Sequence, residues 1–314
     1  MTLPRQSDLA TGMRRVRTAL LARAEELRAE GRAIPEIAGK LLRPLVAWSL
    51  VPADARDRLD ERFWSGSLAI QMVHEASLLH DDVLDHATLR RGEETVVARD
   101  GVGAAVVGGD RILTSAYAVA DAAALPAFLG GFIRAVEATV AGEVAQGRTR
   151  GRFLAESEYE DIIRGKSGEL FASAVHLAAL CGGVDLAPEI GLRIGSLYQR
   201  VDDLLDYCAA IEQDKPALQD WRQRKWTFPL GSAGIDTWEL SEEEVLVRLR
   251  SGAPAPLLEG VAGLEATAEA LIEDVAQVTD PAPLGEILRM WCDAARSGVE
   301  RELEATSPPL LQVS

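Results

Sequence analysis

Two copies of one acidic pattern, Asp81-Asp82-Val83-Leu84-Asp85 and Asp202-Asp203-Leu204-Leu205-Asp206, sit inside otherwise apolar, helix-forming stretches. No other feature restricts this chain so strongly. Residues one turn apart on a helix hold their side chains roughly 5–6 Å from each other. Two carboxylates at that spacing repel by about 3 kcal/mol at an effective dielectric of about 20. A helix gains nothing from such a cluster, so a site built from two of them must attract cations or protonate. Oxygen-only ligands at open helical spacing suit Mg²⁺, which usually sits between carboxylates and substrate phosphates. Two such helices can face each other across a shared cavity.

Asp81 and Asp85 fall on one helical face, with Ser77 and Val73 on the same stripe and His74 beside it. The preceding turn, Ser77-Leu78-Leu79-His80, is not surface-like, which argues against a merely solvated helix end. Asp202 and Asp206 likewise share a face, and Gln199 precedes Asp203 by one turn.

Composition sets the frame. The chain has 314 residues, and Ala, Leu, Arg and Glu dominate it while strand patterns are hard to find. We read residues 1–314 as one large all-α unit, with a frayed tail over 307–314. The formal charge of -16 disfavours nucleic acid and acidic membrane surfaces as partners. It does not exclude an anionic substrate, because local cations and metals override the net field. Cys181, Cys208 and Cys292 are scattered without a Cys-x-x-Cys pair, so a reducing cytoplasm is expected. Early Arg5, Asp8, Arg14 and Arg15 do not fit a secretory signal. The longest apolar stretch, Ala116 to Ile133, is interrupted by Asp121 and Pro126, so no transmembrane span is expected.

Periodicity predicts helices from Ser7 to Gly31, Gly39 to Leu50 and Ala53 to His86, then a polar loop over 87–100. Further helices are predicted over 102–123 and 127–147. Capping boxes at Ser157-Glu158-Tyr159-Glu160 and Ser241-Glu242-Glu243-Glu244 predict two helix starts. The first of these helices ends near Gly182, and the helix from Pro188 to Ala210 carries the second acidic motif.

Cations accompany the acids. Arg90 and Arg91 follow the first motif, where guanidinium forks suit phosphate oxygens. Lys40 and Arg43 stand three apart at a helix start. Gly165-Lys166-Ser167-Gly168 interrupts a helix with two glycines, which permits close approach and marks a kink. Lys215 and Lys225 flank the polar segment after the second motif. Together these form two diphosphate-sized cationic sets around two metal sets. Arg148, Arg150 and Arg152 read as a solvated loop, His86 as a helix end and His176 as a core or interface residue. Gly101-Val102-Gly103 lacks a third glycine and a preceding strand, so it is no dinucleotide loop.

In this order the motifs resemble those of the trans-isoprenyl diphosphate synthases, the polyprenyl synthetase family, over roughly residues 35–235. Gly39-Lys40-Leu41-Leu42-Arg43-Pro44 resembles the family's Gly-Gly-Lys-Arg-x-Arg-Pro. His74 to Asp82 resembles the first aspartate-rich motif with its lead-in, and Arg90-Arg91-Gly92 follows. Gly109-Asp110 resembles the Gly-Asp-x-Leu-Leu helix, Lys166-Ser167 the Lys-Thr pair, and Gln199 to Asp206 the second aspartate-rich motif. Lys215 and Lys225-Trp226-Thr227-Phe228-Pro229 resemble the closing lysine loop. Departures are Ala38 and Leu41 in the first motif, His86, the Glu93 to Val97 loop, Asp214, and the ending from Ala294 to Val299.

The resemblance implies an isoprenoid synthase-like fold, a single large helical bundle with a deep central cavity, and a homodimer. It implies Mg²⁺, three ions, held by Asp81, Asp85 and Asp202, with Asp206 as a further ligand. Arg90, Lys166, Ser167, Gln199, Lys215 and Lys225 would hold the allylic diphosphate, and Lys40, Arg43, His74 and Arg91 isopentenyl diphosphate. Asp81, Asp85, Asp202, Lys166 and Lys225 would carry catalysis by stabilising charge as the allylic C–O bond ionises. The carbocation then alkylates the neighbouring alkene, and a proton leaves to the departing diphosphate. Below Asp81 the stripe of Ser77, Ala76, Val73 and Ile70 would wall the growing prenyl tail. Small Ala76 and Ser77 leave it deep, so products of twenty carbons or more are expected. The competing readings are a terpene cyclase or lyase on the same scaffold and a non-catalytic partner subunit. A di-iron bundle is disfavoured because no Glu-x-x-His is present.

Overall fold

The computed structural model describes residues 8–90, 92–208 and 217–306. The chain runs through α1 (Asp8–Ala29), α2 (Leu42–Leu50), α3 (Ala53–Arg56), α4 (Glu61–Leu84), a small hairpin of β1 (Leu89–Arg90) and β2 (Glu93–Glu94), and α5 (Val96–Asp100). Then come α6 (Val102–Ala122), α7 (Pro126–Thr149), α8 (Glu156–Ile163), a π-helical turn (Arg164–Gly168) and α9 (Glu169–Gly182). After α10 (Pro188–Leu205) follow α11 (Gln219–Arg222), α12 (Phe228–Ser232), α13 (Glu242–Arg250), α14 (Pro256–Ala276) and α15 (Ala282–Thr306).

α4 packs along α6, α9 lies between α7 and α10, and α14 bridges α10 and α15. Their apolar faces merge into one buried cluster reaching from Val16 to Val299. Phe63, Phe128, Phe132 and Phe171 are fully buried in it. Each such ring contributes about 1.5–3 kcal/mol relative to exposure. Proline starts α7, α10 and α14 at Pro126, Pro188 and Pro256, where a helix has no use for the missing N–H.

The predicted helices form, with informative shifts. The long helix expected over 53–86 is split, because Asp60 caps a new start by accepting the Arg62 amide at 3.1 Å. Its last regular residue is Leu84, and Asp85 is the cap, its amide still donating to Asp81 O at 2.8 Å. α2 begins at Leu42 rather than Gly39, because Leu41 takes a left-handed conformation at φ 54°. Lys40 therefore lies off the helix. The polar loop over 87–100 contains the β1–β2 hairpin, with Arg90 opposite Glu93, and α5 capped by Thr95. Ser241 and Glu244 form the expected reciprocal box at 3.2 and 2.7 Å. Ser157 does not cap α8: the helix starts one residue earlier, and Glu158 accepts the Ala155 amide at 3.1 Å. α10 ends at Leu205, earlier than Ala210, which lies outside the described residues, as does 307–314. Among the described residues no helix is long and apolar enough to cross a membrane.

Candidate active site between the two aspartate motifs

The hinge of the site is the π turn. Its sequence, Arg164-Gly165-Lys166-Ser167-Gly168, breaks the α8–α9 helix where the kink was expected. Two glycines outside it hold it in place. A Cβ on Gly142 of α7 would fall 2.4 Å from the Lys166 amide nitrogen, and one on Gly195 of α10 2.4 Å from Gly168 Cα. Only glycine allows both helices to press this close. Successive side chains of the turn then reach different neighbours, Lys166 toward α7 and the first motif, Ser167 toward the second.

At the first motif, Asp81 and Asp85 are half-buried and Asp82 is buried. The hairpin returns Arg90 onto Asp82 at 2.8 Å. Asp85 accepts from Arg150 at 2.8 Å and from Lys225 at 3.2 Å on each oxygen. Lys225 is itself buried, and it reaches the first motif from beyond the second. Burial raises Asp81 above the usual carboxylate range, against the opposing field of Lys166. Burial also acts on Asp85, but the Lys225 charge and hydrogen bond outweigh it and hold the group below the usual range. Lys166 donates to Gln146 at 2.7 Å and pairs with Glu143 at 2.7 Å. Burial would lower its pKa, yet the charges of Asp81 and Glu143 raise it, so the ammonium form persists.

At the second motif Ser167 donates to Gln199 at 2.6 Å, and Gln199 donates to Asp203 at 2.8 Å. Tyr159 donates its hydroxyl to the other Asp203 oxygen at 2.7 Å. Burial, aided by the field of Asp220, pushes Asp203 up to about 7. Asp202 is half-buried. Asp206, expected as a further metal ligand, has backbone partners in this structure. It is fully buried, and its two oxygens accept the backbone amides of Gln219 at 3.2 Å and Asp220 at 2.9 Å. A carboxylate accepting the first two amides of α11 caps that helix start.

The expected isopentenyl diphosphate set is less gathered. Lys40 is exposed and His74 half-buried. Arg43 is buried with its guanidinium 4.9 Å from the Phe171 ring centre, and its Nε has no hydrogen-bond partner. An orphaned guanidinium nitrogen in the interior is a standing demand for an acceptor. Burial lowers the Arg43 pKa, opposed by the fields of Tyr198 and Glu75. Arg91 and Lys215 lie outside the described residues. On the expected wall, Ile70, Val73 and Ala76 are buried and Ser77 half-buried, its hydroxyl donating to His74 O at 2.9 Å. A separate open cleft of about 410 Å³, between α10, α12 and α14, is lined by Arg193, Arg200, Phe228 and Gly260 and by no residue of either motif.

Sequence reasoning missed Glu143, Gln146, Tyr159 and Arg150. Gln146 follows Gly142 by one helical turn and Glu143 adjoins it, a signal visible once the glycine is known to face Lys166. Arg150 was expected in a solvated loop, yet it contacts Asp85. Its neighbour Arg152 does stay exposed, paired with Glu158 at 3.1 Å.

Both motifs close the C-terminal ends of their helices, where the helix dipole is negative and adds to the carboxylates. The two nitrogen cations drawn onto Asp85 mark where positive charge is stabilised. Among the described residues no three acidic, His or Cys groups gather closely enough to hold a metal ion by themselves. Asp81, Asp85 and Asp202 offer oxygen donors only, the kind that suits Mg²⁺, which keeps waters and bridges to phosphate.

The polyprenyl synthetase family model matches residues 24–244. The chain is 33% identical over 199 residues to octaprenyl diphosphate synthase of Escherichia coli, a match covering 61% of each protein. It is 34% identical over 212 residues to farnesyl diphosphate synthase of Geobacillus stearothermophilus, covering 62% of this chain and 71% of that one. The chain thus spans about three fifths of the length of the first of these relatives. In fold it resembles a polyprenyl synthase from Caulobacter crescentus, complexed with calcium and isoprenyl diphosphate. The TM-score there is 0.72 at 24% identity, over 96% of this chain and 99% of the other. That likeness shows the isoprenyl synthase bundle. By the family match, this chain is a member of the polyprenyl synthetase family.

Proposed function

We propose that this family member is a Mg²⁺-dependent prenyltransferase. It would condense an allylic prenyl diphosphate with isopentenyl diphosphate, head to tail, into a trans-prenyl diphosphate of twenty carbons or more. One observation carries the reading: a single π turn serves both aspartate motifs. Lys166 lies in the fields of Asp81 and Asp85, while Ser167 donates to Gln199, which donates to Asp203.

Asp81, Asp85 and Asp202 would hold the ions, three in number by family resemblance. Mg²⁺, when bound, supplies the positive charge that stabilises the departing diphosphate. Arg90, Lys166 and Lys225 hold the allylic diphosphate, joined by Lys215, Ser167 and Gln199. Glu143 and Gln146 keep the Lys166 ammonium charged and aimed, which preorganises the site for anionic charge. Arg43, with its orphaned Nε, takes an oxygen of isopentenyl diphosphate beside Lys40, His74 and Arg91. The tail runs along Ser77, Ala76, Val73 and Ile70. Named relatives that make farnesyl, geranylgeranyl and octaprenyl diphosphate support this chemistry.

We further infer one domain, a cytoplasmic location and a homodimer. The three cysteines are free. Val106 and Val107 of α6 with Ile133, Val140 and Val144 of α7 are exposed. An apolar face of this kind suits a second copy of the chain.

Product mass after incubation with Mg²⁺ and an allylic diphosphate, with and without isopentenyl diphosphate, tests the reading. Elongation that needs isopentenyl diphosphate is expected. A cyclic or linear hydrocarbon formed without it would indicate a terpene cyclase or lyase, and no turnover a partner subunit. Ser77→Phe should shift products to shorter chains, and an unchanged distribution would reject the wall.

A further inference from the structure

We propose that Arg150 is an additional diphosphate-binding residue of this site. It holds Asp85 while no metal is bound and turns to the substrate diphosphate once Mg²⁺ occupies Asp85. This rests on the reading above and adds a residue that the family motifs do not supply.

Arg150 is fixed beside Asp85 by its surroundings. It caps α7, and the next residue, Gly151, donates its amide to Arg224 O at 2.8 Å, beside Lys225. Trp238 donates its indole N–H to Gly151 O at 3.0 Å. The Trp238 ring lies 4.8 Å from both Phe153 and Trp221. The turn is therefore clamped to the segment carrying Lys225, and both cations are delivered to the same carboxylate.

A metal ion on that carboxylate would compete with these partners. Asp85 Oδ1 accepts from Arg150 at 2.8 Å and from Lys225 at 3.2 Å, while Oδ2 accepts from Lys225 alone. Oδ1 is thus saturated. A divalent ion on Asp85 would offset its attraction for the guanidinium and repel it. Arg150 is released with five N–H donors, on a side chain about one-third exposed. A bridging diphosphate is the anion that lets a guanidinium remain beside the metal, and a planar fork suits its oxygens.

Calorimetry on the full chain would measure binding of Mg²⁺ alone and of inorganic pyrophosphate in excess Mg²⁺. The variants are Arg150→Gln and Arg150→Lys. We expect Arg150→Gln to weaken pyrophosphate about tenfold, the loss of one charge-assisted contact. Mg²⁺ alone should bind as well as in wild type or more tightly. Arg150→Lys should restore part of the pyrophosphate affinity, and it carries the test if the Gln variant fails to fold. In turnover the loss should appear in KM for the allylic diphosphate at least as much as in kcat. Unchanged pyrophosphate affinity overturns the proposal. So does an equal loss of Mg²⁺ and pyrophosphate binding, which would make Arg150 a prop for Asp85 only. If wild type binds no Mg²⁺–pyrophosphate, the site reading falls and Arg150 with it.

Discussion

The two aspartate motifs share a pattern and a helical position, yet their last residues live in different environments. The middle residues match: Asp82 and Asp203 are both buried and satisfied by neighbouring side chains. At the fifth position they part. Asp85 keeps 27% of its side chain exposed and is held by Arg150 and Lys225. Asp206 has no exposure and is held by two backbone amides of α11. Flexible side-chain partners can yield to a metal, whereas amides fixed in a helix start cannot leave without undoing it. A repeated motif therefore need not be a repeated function, and the partners decide which acid is free to change them.

The largest expected effect separates the two directly. Asp85→Asn should lower kcat/KM at least about 1000-fold, roughly 4 kcal/mol of transition-state stabilisation, a loss far larger than the stability cost of weakening the Lys225 pair. Steady-state assay and urea unfolding of the same preparation would show it, and a loss under tenfold would make the two positions alike. Asp206→Ala should do the reverse. It removes the acceptor of the Gln219 and Asp220 amides, on half-buried residues, at a cost of about 1–3 kcal/mol for the pair. The urea midpoint should fall, and Asp206→Asn, which keeps one acceptor, should fall less. If Asp206→Ala unfolds like wild type but abolishes Mg²⁺ binding, the metal role returns to it.

The motifs should also respond oppositely to pH. Asp85 sits below its ordinary range, so its contribution is present at neutral pH and is lost as pH falls below about 4. Asp203 is raised to about 7, so the native state retains a proton that the unfolded chain releases. Its contribution is complete below the unfolded value and declines as pH rises through about 4 to 7. The slope is at most about 1.4 kcal/mol per pH unit. Unfolding free energies across pH 4–8 should fall more steeply in wild type than in Asp203→Asn. Equal slopes would mean that Asp203 is not the group that titrates.

Much of this was legible in the sequence, because repulsion between neighbouring carboxylates demands an explanation wherever it occurs. The doubled motif was found that way, Lys166 by its two glycines, and Lys225 by its place after the second motif. What stayed hidden depends on contacts between distant segments. Arg150 sits in a run of Arg148, Arg150 and Arg152 that reads as surface, and only the clamp through Arg224 and Trp238 selects one of the three. Asp206 looks like Asp85 until the chain returns and α11 offers its amides. The left-handed Leu41 that carries Lys40 off its helix has no local signal, since leucine rarely adopts that conformation.

The smallest and most specific effect concerns the Asp203 hydroxyl partner. Tyr159→Phe removes one O–H and leaves the ring, which lies 5.4 Å from Trp226 and 5.2 Å from the Arg200 guanidinium. The phenol stabilises the charged carboxylate, so its loss should raise Asp203 further and extend the falling limb of stability above pH 7. A hydrogen bond to an ionised group contributes about 1.5–3 kcal/mol, and one between neutral groups about 0.5–1.5. Urea unfolding should therefore show a larger penalty at pH 8, where wild-type Asp203 is ionised, than at pH 5, where it is neutral. Nothing comparable exists at Asp85, whose partners are already charged. The same penalty at both pH values would mean that Asp203 stays in one protonation state throughout, and the contrast between the motifs would then rest on geometry alone.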